Sequence, residues 1–340
     1  MSQSINVSTP RILLTNDDGP PSRDSPYIYG LFRHLTTHHG WDVKVVIPSS
    51  QKSWIGKAYH ITEITKGRYY YPREPDGMGE ISEISRPLKD GEVAEWILLD
   101  GTPATCANIA VHNIYPGHFN LVISGPNLGR NTSSAFALSS GTIGAALSSS
   151  LSQIRSIALS YGTVIHPTPS TYFQPAHLLG ASIVRHLWEN WGEDEGGLRD
   201  NEVDLYSVNI PLIEGLLAEE GLKVCWTRMW RNSYGRLFKE ISGDAGRTID
   251  PAGPDSLAAR PSDLDNSGNP SSSIPTRSLT FKFKPDMRGL ITPDSTSLPV
   301  GSDGWAIHNG WVSVTPLRAS FAEPDHEEIA IEEKVWKMKL

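Results

Sequence analysis

Residues 11–48 read RILLTNDDGPPSRDSPYIYGLFRHLTTHHGWDVKVVIP, and the architecture is decided there. The apolar run at 11–14 ends in Thr-Asn-Asp-Asp-Gly-Pro-Pro, a composition that only a loop accommodates. Ser25 before Pro26 has the form of a helix N-cap with proline in the first turn. Tyr27, Ile28, Leu31, Phe32 and Leu35 then recur at helical spacing until Gly40. A second apolar run, VKVVI at 43–47, closes at Pro48. Strand, loop, helix and strand within about 40 residues make one right-handed parallel crossover unit.

The pattern repeats downstream. A strand at 96–99 leads through Asp100-Gly101-Thr102-Pro103 into a helix over 104–114. A strand at 121–124 is followed by a polar loop over 125–138, a small-residue helix over 141–151 and a strand at 156–160. Such runs, lacking period-2 alternation and separated by helices, predict an α/β fold: a Rossmann-like, mostly parallel sheet with helices on both faces. Ligands in these sheets collect at the carboxyl ends of the strands. The loops after Leu14, Ile47, Leu99 and Ser124 are therefore expected on one rim. A longer helix over 172–191 and a strand at 205–210 follow, ordered sequence resumes at 278–283, a late strand is read at 311–316, and a C-terminal β-hairpin or strand extension is expected. Residues 243–276, rich in Pro, Ser, Gly, Asp and Asn and without an aromatic residue, are expected to be a disordered insertion. One domain over 1–330, with a tail at 331–340, is the expected organisation.

Thirty Lys and Arg against 38 Asp and Glu give a formal net charge of −8. That balance disfavours a globally basic binder of duplex nucleic acid, yet a single metal ion can reverse the local field for a small phosphate ester. Cys106 and Cys225 have no metal-type spacing and read as buried free thiols. The N-terminus lacks a basic start followed by a long apolar stretch, and the most apolar window, 136–151, is interrupted by serines and glycines. No membrane segment is expected, and a cytoplasmic location is the default.

Four polar clusters fall on the rim. Asn16-Asp17-Asp18-Gly19 either holds a hard divalent cation through oxygen or shapes a turn. Pro48-Ser49-Ser50-Gln51-Lys52-Ser53 offers a hydroxyl and a charge. Ser124-Gly125-Pro126-Asn127-Leu128-Gly129-Arg130-Asn131 offers amide oxygens for a metal, amide hydrogens for phosphate and glycines for close approach. Ser139-Ser140-Gly141-Thr142 opens a helix, where free amides attract an anion or the hydroxyls merely cap. No GxxxxGK[ST] loop or GxGxxG fingerprint is present. A phospho-aspartate nucleophile in an Asp-x-Asp-Gly run is also missing, because Asn16 stands at its first position.

The order and spacing of these clusters resemble the SurE family of metal-dependent nucleotidases and phosphatases. RILLTNDDG is similar to that family's opening strand and metal loop, LLDGTPATC to its GTPADC segment, SGPNLGRN to its SGIN-x-G-x-N loop and SSGTIGAAL to YSGTVGAA. LYSVNIP resembles the LNVNVP strand, CWTRMWRNSYGR a TR-containing hairpin and GWVSVTPL the closing strand. Departures exist. Ser49-Ser50 replaces Asp-Arg, Lys52-Ser53-Trp54 replaces Arg-Ser-Gly with the glycine delayed to Gly56, Ser133 and Ser134 replace acidic residues, and one extra residue precedes Gly141. The long insertion and the tryptophan-rich hairpin resemble a eukaryotic, fungal-like branch.

The resemblance implies a phosphoric monoester hydrolase of the 5'/3'-nucleotidase or acid phosphatase type, using a divalent metal (Mg2+ or Mn2+) to activate water. Its metal ligands would be Asp17, Asp18, Ser53 and Asn127. Asp17, Asp18 and Asn131 would be catalytic, and Asn16, Ser140, Gly141 and Thr142 would bind phosphate. The substrate would be a nucleoside monophosphate or a similar monoester. The alternative is a nucleotide- or RNA-end-binding module without useful turnover. A homodimer or dimer of dimers is expected, built on the strand at 311–316 and the preceding hairpin, with Trp226, Trp230, Trp305 and Trp311 as interface aromatics.

Overall fold

The computed structural model describes residues 9–163, 167–240, 279–285 and 293–323. The insertion expected at 243–276 and the tail expected at 331–340 lie outside the described residues. The chain begins with β1 (Arg11–Thr15), α1 (Ile28–Arg33), β2 (Asp42–Pro48), β3 (Gly67–Pro72), β4 (Gly79–Ser82) and β5 (Trp96–Leu99). It continues through α2 (Pro103–Ile109), β6 (Leu121–Leu128), α3 (Ser133–Ala137), α4 (Gly141–Leu151), β7 (Arg155–Thr163) and α5 (Phe173–Glu189). The remaining elements are β8 (Leu205–Leu212), β9 (Val224–Trp226), β10 (Phe238–Glu240), β11 (Phe281–Phe283), α6 (Asp303–His308) and β12 (Val312–Leu317).

Ten strands form one sheet in the order β4-β3-β5-β2-β1-β6-β7-β8-β12-β9. The run from β5 to β8 is parallel throughout. Antiparallel strands extend it at both ends: β3 and β4 beyond β5, and β12 beside β8. This is the mostly parallel, Rossmann-like sheet that the sequence predicts. Alternation along β1 divides the core. Ile12 and Leu14 pack with Tyr27 and Leu31 of the α1 region and Val184 of α5, whereas Leu13 packs with Cys106 and Ala107 of α2 and Ala145 of α4. Helices therefore cover both faces. The chain runs outward from β1 to β2 and then to β5, and returns to the other side of β1 as β6. That reversal opens a crevice above the carboxyl ends of β1 and β6, where ligands bind in open α/β sheets.

Local departures have identifiable causes. Ser25 does not cap α1: its hydroxyl donates to the Gly19 carbonyl at 2.7 Å, and the helix starts at Ile28 without a side-chain cap. The segment expected as a loop over 125–138 is partly regular. β6 runs on to Leu128 through a register shift between Ser124 and Asn127, and α3 follows. Cys106 is buried as expected, but Cys225 sits on the edge strand β9 and is only partly covered. The strand at 311–316 is flanked by β8 on one side and β9 on the other, so it offers a partner no free edge. β10 and β11 form a separate two-stranded antiparallel sheet, which fits the expected C-terminal extension. Among the described residues, no helix is long and apolar enough to cross a membrane.

Candidate functional site

The loop after β1 closes on itself. The Asn16 amide donates to the Gly19 carbonyl at 2.8 Å and to Ser25 Oγ at 3.3 Å, while its oxygen accepts the Gly19 N–H at 3.1 Å. Gly19 turns with φ +83, a conformation that suits a residue lacking Cβ. Asn16, grouped by sequence with the phosphate binders, is thus fully enclosed and committed to the loop. Its role in this geometry is to hold Asp17 and Asp18 in place.

Both carboxylates are buried, with 3% and 4% of their surface exposed. Asp17 lies at the start of α4, whose N-cap is Ser140; the Ser140 hydroxyl accepts from the Ile143 N–H at 3.2 Å. Thr142 Oγ1 donates to Asp17 Oδ1 at 2.7 Å, and the Gly141 and Thr142 backbone N–H groups also serve this carboxylate. A Cβ on residue 141 would sit 2.8 Å from Asp17 Cβ, so only glycine allows the helix this close. Gly141 and Thr142 therefore face Asp17 rather than open space. Asp18 turns the other way, where Oδ2 accepts the Leu128 N–H at 2.8 Å and the Gln51 side chain donates as well.

Burial pushes the Asp17 pKa from 3.8 up to about 6 against these hydrogen bonds. Asp18 is raised well above the usual carboxylate range by burial first and by the Asp17 charge second. Arg130 also lines the pocket that Asp17 faces. Two adjacent buried carboxylates are costly in the charged form, and a hard cation is a chemistry that relieves them.

Around Asp17 the structure gathers Ser53, Asn127, Arg130, Asn131, Ser139 and Ser140 into the wall of one pocket. Asp18, Asn16, Gly141 and Thr142 are not among its lining residues. The Asn127 amide donates to the Gly129 carbonyl at 2.8 Å, leaving its side-chain oxygen as the atom able to face a cation. Among the described residues, no group of three His, Cys, Asp or Glu could hold a metal. A cation here would depend on Asp17 and Asp18 together with the neutral oxygens of Ser53 and Asn127, a donor set that suits Mg2+ or Mn2+.

Several supporting residues escaped the sequence reading. The Asn131 backbone N–H donates to Asn209 Oδ1 at 2.7 Å and its amide to Ser160 Oγ at 2.9 Å. Asn209 is fully buried in β8, every residue of which is buried; a polar side chain inside such a run was the available signal. Asp303 accepts the Ser133 N–H at 2.8 Å and the Trp230 N–H at 2.9 Å, tying α3 to the C-terminal region. The segment carrying Ser53 is held at both ends by main-chain bonds, Lys52 N–H to the Asp17 carbonyl at 2.7 Å and Gly56 N–H to the Ser139 carbonyl at 2.9 Å. Trp54 and Phe136 also line the pocket.

Known proteins resemble this chain over most of its length. The chain is 33% identical over 344 residues to "Probable tubulin--tyrosine ligase PBY1" of Saccharomyces cerevisiae; the match covers 93% of this chain and 42% of that protein. The chain thus spans about two fifths of the yeast relative. It is 30% identical over 236 residues to "5'-nucleotidase SurE" of Synechocystis sp., covering 69% of this chain and 73% of the relative. The crystal structure of the SurE protein from Aquifex aeolicus shares the fold, with a TM-score of 0.55 at 23% identity, covering 92% of this chain and 95% of that one. The model of the survival protein SurE family matches residues 12–236, a span that takes in the Asp17-Asp18 loop, the Asn127–Asn131 loop and the start of α4. By that match, and with its pocket at the sheet reversal where the motifs converge, this chain belongs to the SurE family.

Proposed function

We propose that the protein is a divalent-metal-dependent phosphomonoesterase acting on nucleoside monophosphates or similar monoesters. The observation that carries this reading is the pair of buried carboxylates, Asp17 and Asp18, at the sheet reversal, both raised chiefly by burial. Asp17 and Asp18 with Ser53 and Asn127 would hold Mg2+ or Mn2+. When bound, the cation supplies charge neutralisation at the phosphoryl oxygens and a more acidic water. The chain's own groups do the rest. Asn131, fixed by Asn209 and Ser160, directs polar atoms into the pocket, and Ser139 and Ser140 face the phosphate from the start of α4. Asp17, in the pocket wall, takes the proton released there. The 5'-nucleotidase names of several relatives support the nucleotide class.

Purified protein supplied with Mg2+ or Mn2+ is expected to release phosphate from nucleoside 5'- or 3'-monophosphates. Cation should also raise the melting temperature by several degrees at pH 7.5 and by much less at pH 5. The sign follows from Asp17: its carboxyl is charged above about 6 and protonated below, so protons compete with the cation in acid. Absence of both effects would overturn the proposal. Tight nucleotide binding without release would favour the binding-module alternative.

A homodimer or dimer of dimers belongs to the same proposal, with its edge moved from β12 to β9. Val224 and Trp226 on that outermost strand are 51% and 59% exposed, and an apolar edge strand invites pairing. By contrast, Trp305 and Trp311 pack on each other with ring centroids 5.1 Å apart. Light scattering at micromolar concentration should give at least twice the 37.3 kDa chain mass; a monomer mass would refute the assembly.

A further inference from the structure

The pocket has a chemically mixed lining. Its lining combines a polar set, Asp17, Ser53, Asn127, Arg130, Asn131 and the serines before α4, with two aromatic side chains, Trp54 and Phe136. Trp54 departs from the family pattern, which resembles Arg-Ser-Gly where this chain has Lys52-Ser53-Trp54. Its φ of +61 lies in the left-handed region, where a glycine is at ease and a tryptophan is not. Three rings hold the indole there: Phe136 at 6.1 Å, Tyr234 at 6.1 Å and Phe283 of β11 at 5.3 Å between centroids, all tilted edge to face. Such geometry is favourable between aromatic rings. Because Lys52 and Gly56 are bonded to the Asp17 and Ser139 main chain, the indole is in fixed register with the polar set.

We propose that Trp54 and Phe136, backed by Tyr234 and Phe283, form a subsite for a planar heteroaromatic ring, so that the favoured monoester carries a nucleobase in its leaving group. The proposal rests on the phosphomonoesterase reading for turnover but not for binding. A phosphate held by the polar side chains would bring the remainder of the ester near the two aromatic ones in the same pocket, and every base presents a π-face for stacking. An alkyl ester offers no such face.

The test compares adenosine 5'-monophosphate, phenyl phosphate and glycerol 2-phosphate on the parental protein, Trp54→Gly, Trp54→Leu and Trp54→Phe. Glycine suits the backbone conformation at residue 54; leucine keeps bulk without a ring. The ratio of kcat/KM for adenosine monophosphate to that for glycerol 2-phosphate should fall about tenfold or more in the first two variants, chiefly through KM. Tenfold corresponds to about 1.4 kcal/mol, within the range of base stacking on aromatic side chains. Trp54→Phe should restore the ratio to within about threefold. An unchanged ratio in both ring-deleted variants overturns the proposal, and so does a larger loss on phenyl phosphate than on the nucleotide. If the parental protein hydrolyses none of the three, the phosphomonoesterase reading fails, and calorimetric binding decides the subsite alone. Preferential binding of adenosine monophosphate that is lost in Trp54→Gly and Trp54→Leu supports the subsite, and equal binding refutes it.

Discussion

Asp17→Asn and Asp18→Asn are each expected to lower metal-dependent phosphate release by roughly 100-fold or more, the scale of losing most charge stabilisation at a phosphoryl centre. Neither should damage the fold. Asn keeps the shape, and its oxygen can still accept from Thr142 Oγ1 at position 17 or from the Leu128 N–H at position 18. The sign of the stability change separates this assignment from a turn-forming role. In the metal-free protein both carboxyls are raised by burial. Their contribution is fully present below the unfolded value of 3.8 and is lost as pH rises through the folded value, about 6 for Asp17. Removing one buried charge should therefore leave the metal-free melting temperature at pH 7.5 unchanged or a few degrees higher, while the stabilisation by added Mn2+ disappears. A turn-forming pair would tolerate Asn with activity within about threefold. Normal melts together with near-parental turnover would sink the metal assignment.

Acid should unfold the protein through a different residue. His177 of α5 is 4% exposed, its Nδ1 lies 3.2 Å from the Tyr161 hydroxyl, and its ring abuts Gly30 so closely that a Cβ there would sit 2.2 Å from Nε2. Burial first, and the neighbouring His34 second, push its pKa from 6.5 down to about 3. A depressed histidine is fully compatible with folding above 6.5. As pH falls below that value the unfolded chain takes up a proton that the native site refuses, costing up to about 1.4 kcal/mol per pH unit. Between pH 6.5 and 4 the loss is on the order of 3 kcal/mol, a sizeable share of the roughly 5–15 kcal/mol that stabilises a domain. The buried aspartates act in the opposite direction over the same range, so Asp17→Asn should steepen the decline. Urea titrations at half-unit pH steps should show a much flatter profile for His177→Gln than for the parental chain. Parallel profiles would show that another group controls acid lability.

The parallel sheet was legible because each of its strands is a short apolar run with a helix or a turn cluster after it, and burial on both faces removes any alternation. The rim was legible for the same reason: polar residues collect where those runs stop. What stayed hidden depends on distance along the chain. Asn131 is positioned by Ser160 and Asn209, which are 29 and 78 residues away, and Asp303 reaches Ser133 across 170. No local pattern encodes such a meeting. The antiparallel extension of β3 and β4 was missed because RYYYP and GEIS lack a clear apolar face; β4 has no fully buried residue. Ser25 carried the right residue type for a cap, but its hydroxyl was claimed by the Gly19 carbonyl.

The main-chain anchoring of residues 52–56 has a consequence for how such a protein diversifies. Neither of the two bonds that hold the segment involves a side chain, and the tight contacts fall on glycines: a Cβ at Gly144 would come within 2.4 Å of the Gly56 carbonyl oxygen. The frame is thus intolerant at Gly56 and Gly144, while position 54 projects into the pocket as a side chain on a fixed mount. On the proposed reading, substitution there would retune which esters are accepted without moving Asp17 or Ser139. Selectivity and chemistry can drift separately in different lineages, one residue apart from Ser53.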